Sequence, residues 1–292
     1  MTILAKIGVS AVSVMLSVFC AFSQDISAQD STPSELSEIF QAPRHINQLT
    51  VHPLTKKTLH FALMHTFGTL DGGIENLFGL DNGANIVIGF EYGLSDRISL
   101  GLTRTSQDKV YQLFGRYHLL RQTEDGQVPF SLSFAGGIGV ISGDYTYLPA
   151  DEQPVFSDRL VYFAQLMLAK KFGEKISVGV NPIFSYFSNA LPVYQIEGTQ
   201  NLYLALGLNG KWQVTKNSSL TLQWIPNLNS DIKNNFGVGW DIKAGQHVFQ
   251  MYFVTSSALN EPYLLAGSNG VPGEEFRLGF NVNRLFFLGN DW

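Results

Sequence analysis

The chain has 292 residues, of which 15% are charged, 13% aromatic and 45% hydrophobic, with 28 glycines and a formal net charge of -5. So little charge beside so much apolar content covers a water-exposed surface poorly, so part of the surface is expected to meet something other than water. The mild negative balance gives no basic footprint for nucleic acid, and the length fits one large or two ordinary domains.

Residues 1–23 read as a signal peptide. Lys6 supplies the positive start, an uncharged run follows from Ile7, and Ala21-Phe22-Ser23 offers the cleavage residues, leaving Gln24 first. The only cysteine, Cys20, lies inside this segment, so the mature chain is expected to hold neither thiol nor disulfide. Lipid modification of Cys20 is disfavoured by bulky Phe19, where such processing prefers a small residue. Beyond the signal no uncharged apolar run approaches the length of a membrane helix, so a membrane crossing would be made with strands.

Residues 24–57 are rich in Ser, Gln, Asp and Pro and read as a periplasmic leader, either mobile or tucked into the folded domain that begins at Thr58, with a short helix expected over Pro33 to Phe40. From Thr58 onward the chain alternates with a period of two, which places one set of side chains on each face of a strand. The first segment, 58–67, sets Leu59, Phe61, Leu63 and Phe67 against Thr58, His60, Ala62, Met64 and Thr66. Similar segments follow near 84–92, 97–105, 109–120, 130–142, 158–172, 175–187, 200–213, 219–226, 235–243, 246–255 and 274–286. Each is near or above the roughly 9 to 11 residues a tilted strand needs to cross a bilayer.

The expected fold is therefore all-β: a closed antiparallel transmembrane β-barrel of about twelve strands over residues 58–292. The connections support it. Apart from a short link at 106–108 and a longer one at 121–129, long and short connections alternate, as periplasmic turns and extracellular loops do. An even strand count then puts both chain ends in the periplasm.

Charge assigns the faces, because Arg or Lys turned toward lipid near mid-bilayer costs about 2–4 kcal/mol. On that ground Arg116 points inward with Gln112 and His118, leaving Tyr111, Leu113, Tyr117 and Leu119 outside. Asp241 turns in with Gly237 and Gly239. Glu91, Lys211, Arg277 and Asn281 complete the expected lumen lining. Many inward positions are small, as in Ser131, Ser133, Ala135, Gly137 and Gly139, which leaves room for water, a plug or strong strand curvature. Phe67, Tyr92, Phe172, Tyr186, Trp212, Trp224 and Phe286 gather near expected strand ends, as in the aromatic girdles of membrane barrels.

The first long connection, Gly68 to Gly83, carries Asp71, Glu75, Phe78 and Asp81 beside Ile74, Leu77 and Leu80. It has two readings: an inward constriction over the pore, or a loop packed at the barrel rim. Its acidic spacing does not match a calcium loop. The six histidines show no paired helical spacing, and without cysteine no zinc constellation forms, so neither metal nor cofactor is expected. His65 near the rim has no Gly-x-Ser-x-Gly partner, and no enzyme activity is expected.

Across about residues 55–288 the chain resembles a family of outer-membrane β-barrel proteins of Gram-negative bacteria. The resemblance is carried by His65-Thr66-Phe67-Gly68, Asn76-Leu77-Phe78-Gly79-Leu80-Asp81, Glu91-Tyr92-Gly93-Leu94-Ser95-Asp96-Arg97, Tyr117-His118-Leu119-Leu120-Arg121-Gln122, His247-Val248-Phe249-Gln250 and Gly279-Phe280-Asn281-Val282. It implies an outer-membrane location and a barrel architecture. No catalytic or ligand residue is established for such a family, so none is carried over.

The functional expectation is a passive or gated conduit for small solutes, selective by size and by the inward charges. Its partners are outer-membrane lipid, the barrel-insertion machinery during assembly and a small solute, with no nucleic acid. The rivals are a closed barrel that anchors envelope components through its loops, with a lumen plugged by its own side chains or by residues 24–57; a membrane-embedded lipid-modifying enzyme; and a soluble periplasmic β-protein.

Overall fold

Strands in hydrocarbon can satisfy their backbone groups only by pairing edge to edge until the last meets the first. A computed structural model of the chain, describing residues 35–36, 38–145, 152–189, 201–228, 233–266 and 275–289, has that closure. A small hairpin comes first, β1 Arg44–His45 and β2 Gln48–Leu49. The wall comes next as β3 Thr58–Thr69, β4 Asn85–Gly93, β5 Ile98–Thr105, β6 Tyr111–Leu120, β7 Ser131–Val140, β8 Leu160–Phe172, β9 Ile176–Phe187 and β10 Leu202–Gln213. It continues through β11 Ser218–Ile225, β12 Asn235–Ala244 and β13 His247–Val254, then a six-residue helix α1 Glu261–Ala266, and ends with β14 Arg277–Phe287.

Each wall strand pairs antiparallel with its neighbours in the chain, and β14 closes on β3 through pairs such as Asn281↔Met64 and Val282↔Leu63. The result is a closed antiparallel barrel of twelve strands, lying where the period-two pattern predicts them. One end carries tight turns, such as Gly245-Gln246, where Gly245 at φ +60° supplies the left-handed residue a two-residue hairpin needs. The other end carries the longer connections, except that the short link 106–110 lies at this end and the longer 121–130 at the first. The segment 1–23, Cys20 and leader residues 24–34 lie outside the described residues, as do 146–151, 190–200, 229–232 and 267–274 of the long connections.

Burial alternates along the strands with the polar or small set turned inward. On β6, Gln112, Arg116 and His118 are buried while Tyr111 and Leu113 are exposed; on β12, Asp241 is buried between exposed Trp240 and Ile242. Outside, apolar side chains such as Ile88, Leu102, Leu113, Leu222 and Trp240 form a band that would be an aggregation surface in water and is an ordinary lipid-facing wall in a bilayer. Tyr92, Phe172 and Trp212 stand near the short-turn end of their strands, and Phe67, Tyr186 and Trp224 near the other. At the short-turn rim Lys170 and Arg284 lie over the rings of Phe172 and Phe286.

The leader departs from its sequence reading. Of the short helix expected over Pro33 to Phe40, Pro33, Ser34 and Ser37 lie outside the described residues and the others are not helical: Glu35 makes a strand-like bridge to Thr123 and Leu36 N–H bonds the Gln122 carbonyl, so the edge of a turn supplies backbone partners a helix would have. The wall, by contrast, makes a direct prediction. Leu222→Arg, at an exposed mid-strand position of β11, is expected to destabilise the barrel by about 2–4 kcal/mol. Denaturant titration in lipid bilayers measures this, and a change under about 0.5 kcal/mol would place Leu222 away from hydrocarbon.

Candidate functional site

Polar residues turned into a barrel must be wet or bonded, because buried polar groups need partners. Here many are bonded to the chain itself. From the short-turn end, residues 39–54 run inside the wall. Ile39, Phe40, Leu49 and Val51 pack on Phe114, Ala135, Phe163, Met167 and Ala169 of β6–β8. From the other end, residues 255–266 fold inward and every residue of α1 is buried. Tyr263, Leu264 and Leu265 sit in an apolar cluster with Val110, Ile141, Ile183, Phe187 and Tyr203.

The hairpin β1–β2 presents its other flank to polar wall. At its tip Ile46 has φ +55°, a left-handed conformation strained for a β-branched residue. The surroundings hold it: the side chain is buried beside Tyr252 and Val254, and the carbonyl accepts from Asn281 Nδ2 at 2.6 Å. Asn47 is fixed between Gln223, which donates to its Oδ1 at 2.5 Å, and the Ala258 carbonyl, which accepts from its Nδ2 at 3.2 Å. Gln48 bonds Asn209 and Asn181 at 3.3 and 3.2 Å. It fits because of Gly207, where a Cβ would stand 2.2 Å from Gln48 Oε1. At Gly207, room left by a small inward residue is taken by a plug.

Two buried ion pairs organise the interior. Arg116 Nη2 donates to Glu91 Oε2 at 2.7 Å, with Ser99 Oγ donating to Glu91 Oε1 at 2.5 Å. Arg116 Nη1 reaches the carbonyls of Thr50, His52 and Pro43 at 2.8, 3.3 and 3.5 Å, so a wall charge holds the leader by its backbone. The second pair joins the two insertions: Arg44 Nη1 donates to Glu261 Oε1 at 3.0 Å, and Gln112 Nε2 donates to Glu261 Oε2 at 2.9 Å. Gln250 Nε2 on β13 completes a chain by donating to the Arg44 carbonyl at 3.2 Å. Gln250, Arg44, Glu261 and Gln112 therefore connect β13 to β6, on far sides of the ring. A second crossing runs from Asn281 on β14 through the hairpin to Gln165 on β8, which donates to the Leu49 carbonyl at 3.3 Å; these strands are diametrically opposed. At the height of the hairpin the lumen is bridged from wall to wall.

Glu91, Arg116, His118, Lys211, Asp241 and Asn281 are all buried in the lumen, and Arg277 lies half-buried at its long-loop end, donating to the carbonyls of Thr255 and Glu275. His118 Nδ1 bonds Ser133 Oγ at 2.7 Å. Asp241 accepts from Gln250 Nε2 at 3.0 Å, and no ion pair joins it to Lys211. Asp71, Glu75, Phe78 and Asp81 are exposed, on and beside the Leu70–Gly79 segment, whose backbone turns through left-handed conformations at Leu77 and Phe78. Among the described residues, the segment holding α1 folds inward at this end of the barrel.

Sequence reasoning does not single out Arg44 and Glu261. A signal exists: Arg44 is the only basic residue between 24 and 55 apart from the histidines, and Glu261 the only acidic one between 246 and 273, two lone charges of opposite sign in otherwise uncharged or oppositely charged stretches. Among the described residues no cluster of three His, Cys, Asp or Glu side chains can hold a metal. His65 lies against the rings of Phe67 and Phe280 on the wall, and its Nδ1 has no hydrogen-bond partner.

Burial pushes the leader's His45 and His52 imidazoles down from 6.5 to about 4. The Leu222 and Phe40 carbonyls that accept from these rings, and Glu38 beside His52, offset part of this, while Lys211 near His45 and Arg116 and Lys243 near His52 add to it. At the mouth, around the cleft of about 230 Å³ lined in part by Glu38, Pro43, His52 and Phe287, Lys243 pairs with Glu38. Arg121 pairs with Glu35 at 2.7 Å.

Among solved structures, the chain is similar to the COG4313 outer membrane channel from Pseudomonas putida F1, at 16% identity over 80% of this chain and 96% of that one, with a TM-score of 0.49. The KdgM porin is similar at 8% identity over 78% and 99%, with a TM-score of 0.47. The outer membrane phospholipase A from Escherichia coli is similar at 11% identity over 80% and 93%, with a TM-score of 0.42. No curated protein sequence matches. Residues 40–286, hairpin and wall together, match the membrane bound beta barrel domain (DUF5777), and the chain belongs to that family.

Proposed function

We propose that this protein is an outer-membrane conduit for small solutes, held closed in this structure, with residues 39–54 as the gate. Residues 1–23 direct export, and the short turns face the periplasm. The observation that carries the reading is the chemistry of the wall behind the hairpin. Gln165, Asn181, Asn209, Gln223, Gln250 and Asn281 are amides, each bonded to a detachable segment or to another such amide. A barrel filled for stability alone would do better with apolar packing, since an intramolecular hydrogen bond contributes only about 0.5–1.5 kcal/mol net. An amide-lined wall suits a surface that is bonded when closed and wet when open.

A second reading has its own observation. The Arg44–Glu261 bond ties the leader to the opposite insertion, as a permanently closed barrel that acts through its loops would require.

Single-channel recording separates the two. The intact chain at neutral pH is expected to show rare openings. Gly207→Leu, which puts a side chain where Gln48 sits, is expected to raise the open fraction at least several-fold. A folded Gly207→Leu barrel whose hairpin has become accessible to protease but which passes no current would leave the closed-barrel reading standing.

Acid should act in the same direction. His45 and His52 hold a proton less readily when docked than when free, so their contribution to docking is fully present above about pH 6.5 and is lost progressively toward about pH 4. Lowering the pH from 7.5 to 5 is expected to raise conductance and speed hydrogen exchange over residues 44–52. The double replacement His45→Gln, His52→Gln should flatten both responses, and a response of undiminished size in that variant would remove these histidines from the gate.

A further inference from the structure

The way the wall holds the hairpin indicates what else it could hold. Within ten residues the leader offers six main-chain carbonyls to wall donors. Arg116 takes those of Pro43, Thr50 and His52, Gln250 takes Arg44, Asn281 takes Ile46 and Gln165 takes Leu49. These contacts read the backbone and are indifferent to the side chains the backbone carries. Within the same ten residues one contact reads a charged side chain: the Arg44 guanidinium sits on Glu261, which is fully buried and oriented by Gln112.

We propose that the lumen is a binding site for peptide segments bearing a cationic side chain, and that the leader hairpin is its resident occupant. This rests on the conduit reading in one respect, that the leader can leave. It deepens that reading by naming the solute class. Donors fixed on opposite walls match a guest with main-chain carbonyls on both flanks: Gln250 and Asn281 take Arg44 and Ile46 from the first arm and tip of the hairpin, Gln165 and Arg116 take Leu49 and Thr50 from the second. A carboxylate buried from solvent selects a fixed cation, and arginine fits it best because its planar fork can bind the carboxylate while other donors remain free. A neutral oligosaccharide has hydroxyl acceptors but nothing to neutralise Glu261.

The test keeps the whole chain. A protease recognition sequence is built at residues 55–57, the protein is folded in lipid nanodiscs, and the leader is then cut from the wall without being removed. Exchange of a fluorescent synthetic peptide of residues 39–54 into the nicked barrel is followed by anisotropy, with current recorded on the same preparation.

The labelled peptide is expected to enter. Its Arg44→Ala version should bind at least about tenfold more weakly. An unrelated peptide of equal length with one arginine should compete, and maltoheptaose should not. In a Glu261→Gln barrel the preference for the native peptide over its Arg44→Ala version should disappear. That comparison is made within one barrel, and the peptide series alone decides the matter if the variant does not fold. If only the native sequence competes, or maltoheptaose competes as well as peptide, or no peptide enters, the proposal is overturned. Current through the nicked barrel with no peptide exchange sinks the peptide site and spares the conduit; neither current nor exchange sinks both.

Discussion

Everything in this molecule stems from backbone groups that must find partners where there is no water. In hydrocarbon a strand edge cannot be left open, so the strands pair around a ring and β14 must return to β3. Closure then fixes the side chains. With successive residues on opposite faces, an apolar outer set forces the remaining set inward, and the inward set here carries Glu91, Arg116, Lys211 and Asp241. Polar groups cut off from lipid must be hydrated or bonded by protein. The chain bonds many of them with its own leader and with the connection that precedes β14.

Two buried ion pairs carry much of that filling, and their energetics are asymmetric. A buried pair adds little stability over an apolar pair of the same shape, whereas removing one partner leaves a charge in a dry site and costs about 3–5 kcal/mol. Glu91–Arg116 is internal to the wall and already satisfied when the leader is considered apart. Arg44–Glu261 exists only while the leader and α1 are both inside. Of the two pairs, the second therefore makes the position of one insertion depend on the other. The ion pairs at the mouth, Lys243–Glu38 and Arg121–Glu35, are partly exposed and contribute about 0–1 kcal/mol each, so they guide the leader more than they hold it.

What was legible in the sequence was whatever repeats locally. Period two at Asn85 to Tyr92 or at Phe236 to Ile242 names a strand and its faces without any knowledge of the neighbours, and the charge of Arg116 suffices to turn β6. What fills the barrel has no local signature. Arg44 and Glu261 are 217 residues apart, and Glu91 meets Arg116 across the intervening strand β5, where Ser99 completes the contact. Glu35 and Leu36 stand in a stretch of helix-like composition, yet they lie along a turn edge whose free backbone groups compete for the same hydrogen bonds. The Leu70–Gly79 loop is as greasy as an inward plug, but its apolar residues stay at the rim, Ile74 with 73% of its surface exposed, while the less conspicuous run around Tyr263 goes inside. Composition cannot choose between two loops with similar residues; the apolar recess formed by Val110, Ile141, Ile183 and Phe187 makes that choice.

The two insertions differ in what holds them, and this decides which one the proposed conduit would release. α1 is seated mainly by apolar burial, Tyr263, Leu264, Leu265 and Ala266 joining one cluster that water cannot replace, at about 25 cal/mol per Å² of surface uncovered, while the flank before it puts Leu259 in a second cluster with Met64 and Val87 and its Ser257 carbonyl accepts from Thr66 and Asn85. The leader is seated so on one flank only, where Ile39, Phe40, Leu49 and Val51 meet β6–β8. Its other flank meets β9–β14 mainly through amides and carbonyls that water can bond almost as well. The strained Ile46 tip belongs to that second flank, so withdrawing the hairpin there relieves an unfavourable backbone conformation as hydrogen bonds are exchanged for water. In the proposed conduit, separation of the contacts along β9–β14 is thus the least costly way to open a path, with α1, packed on β8–β10, remaining as a fixed narrowing.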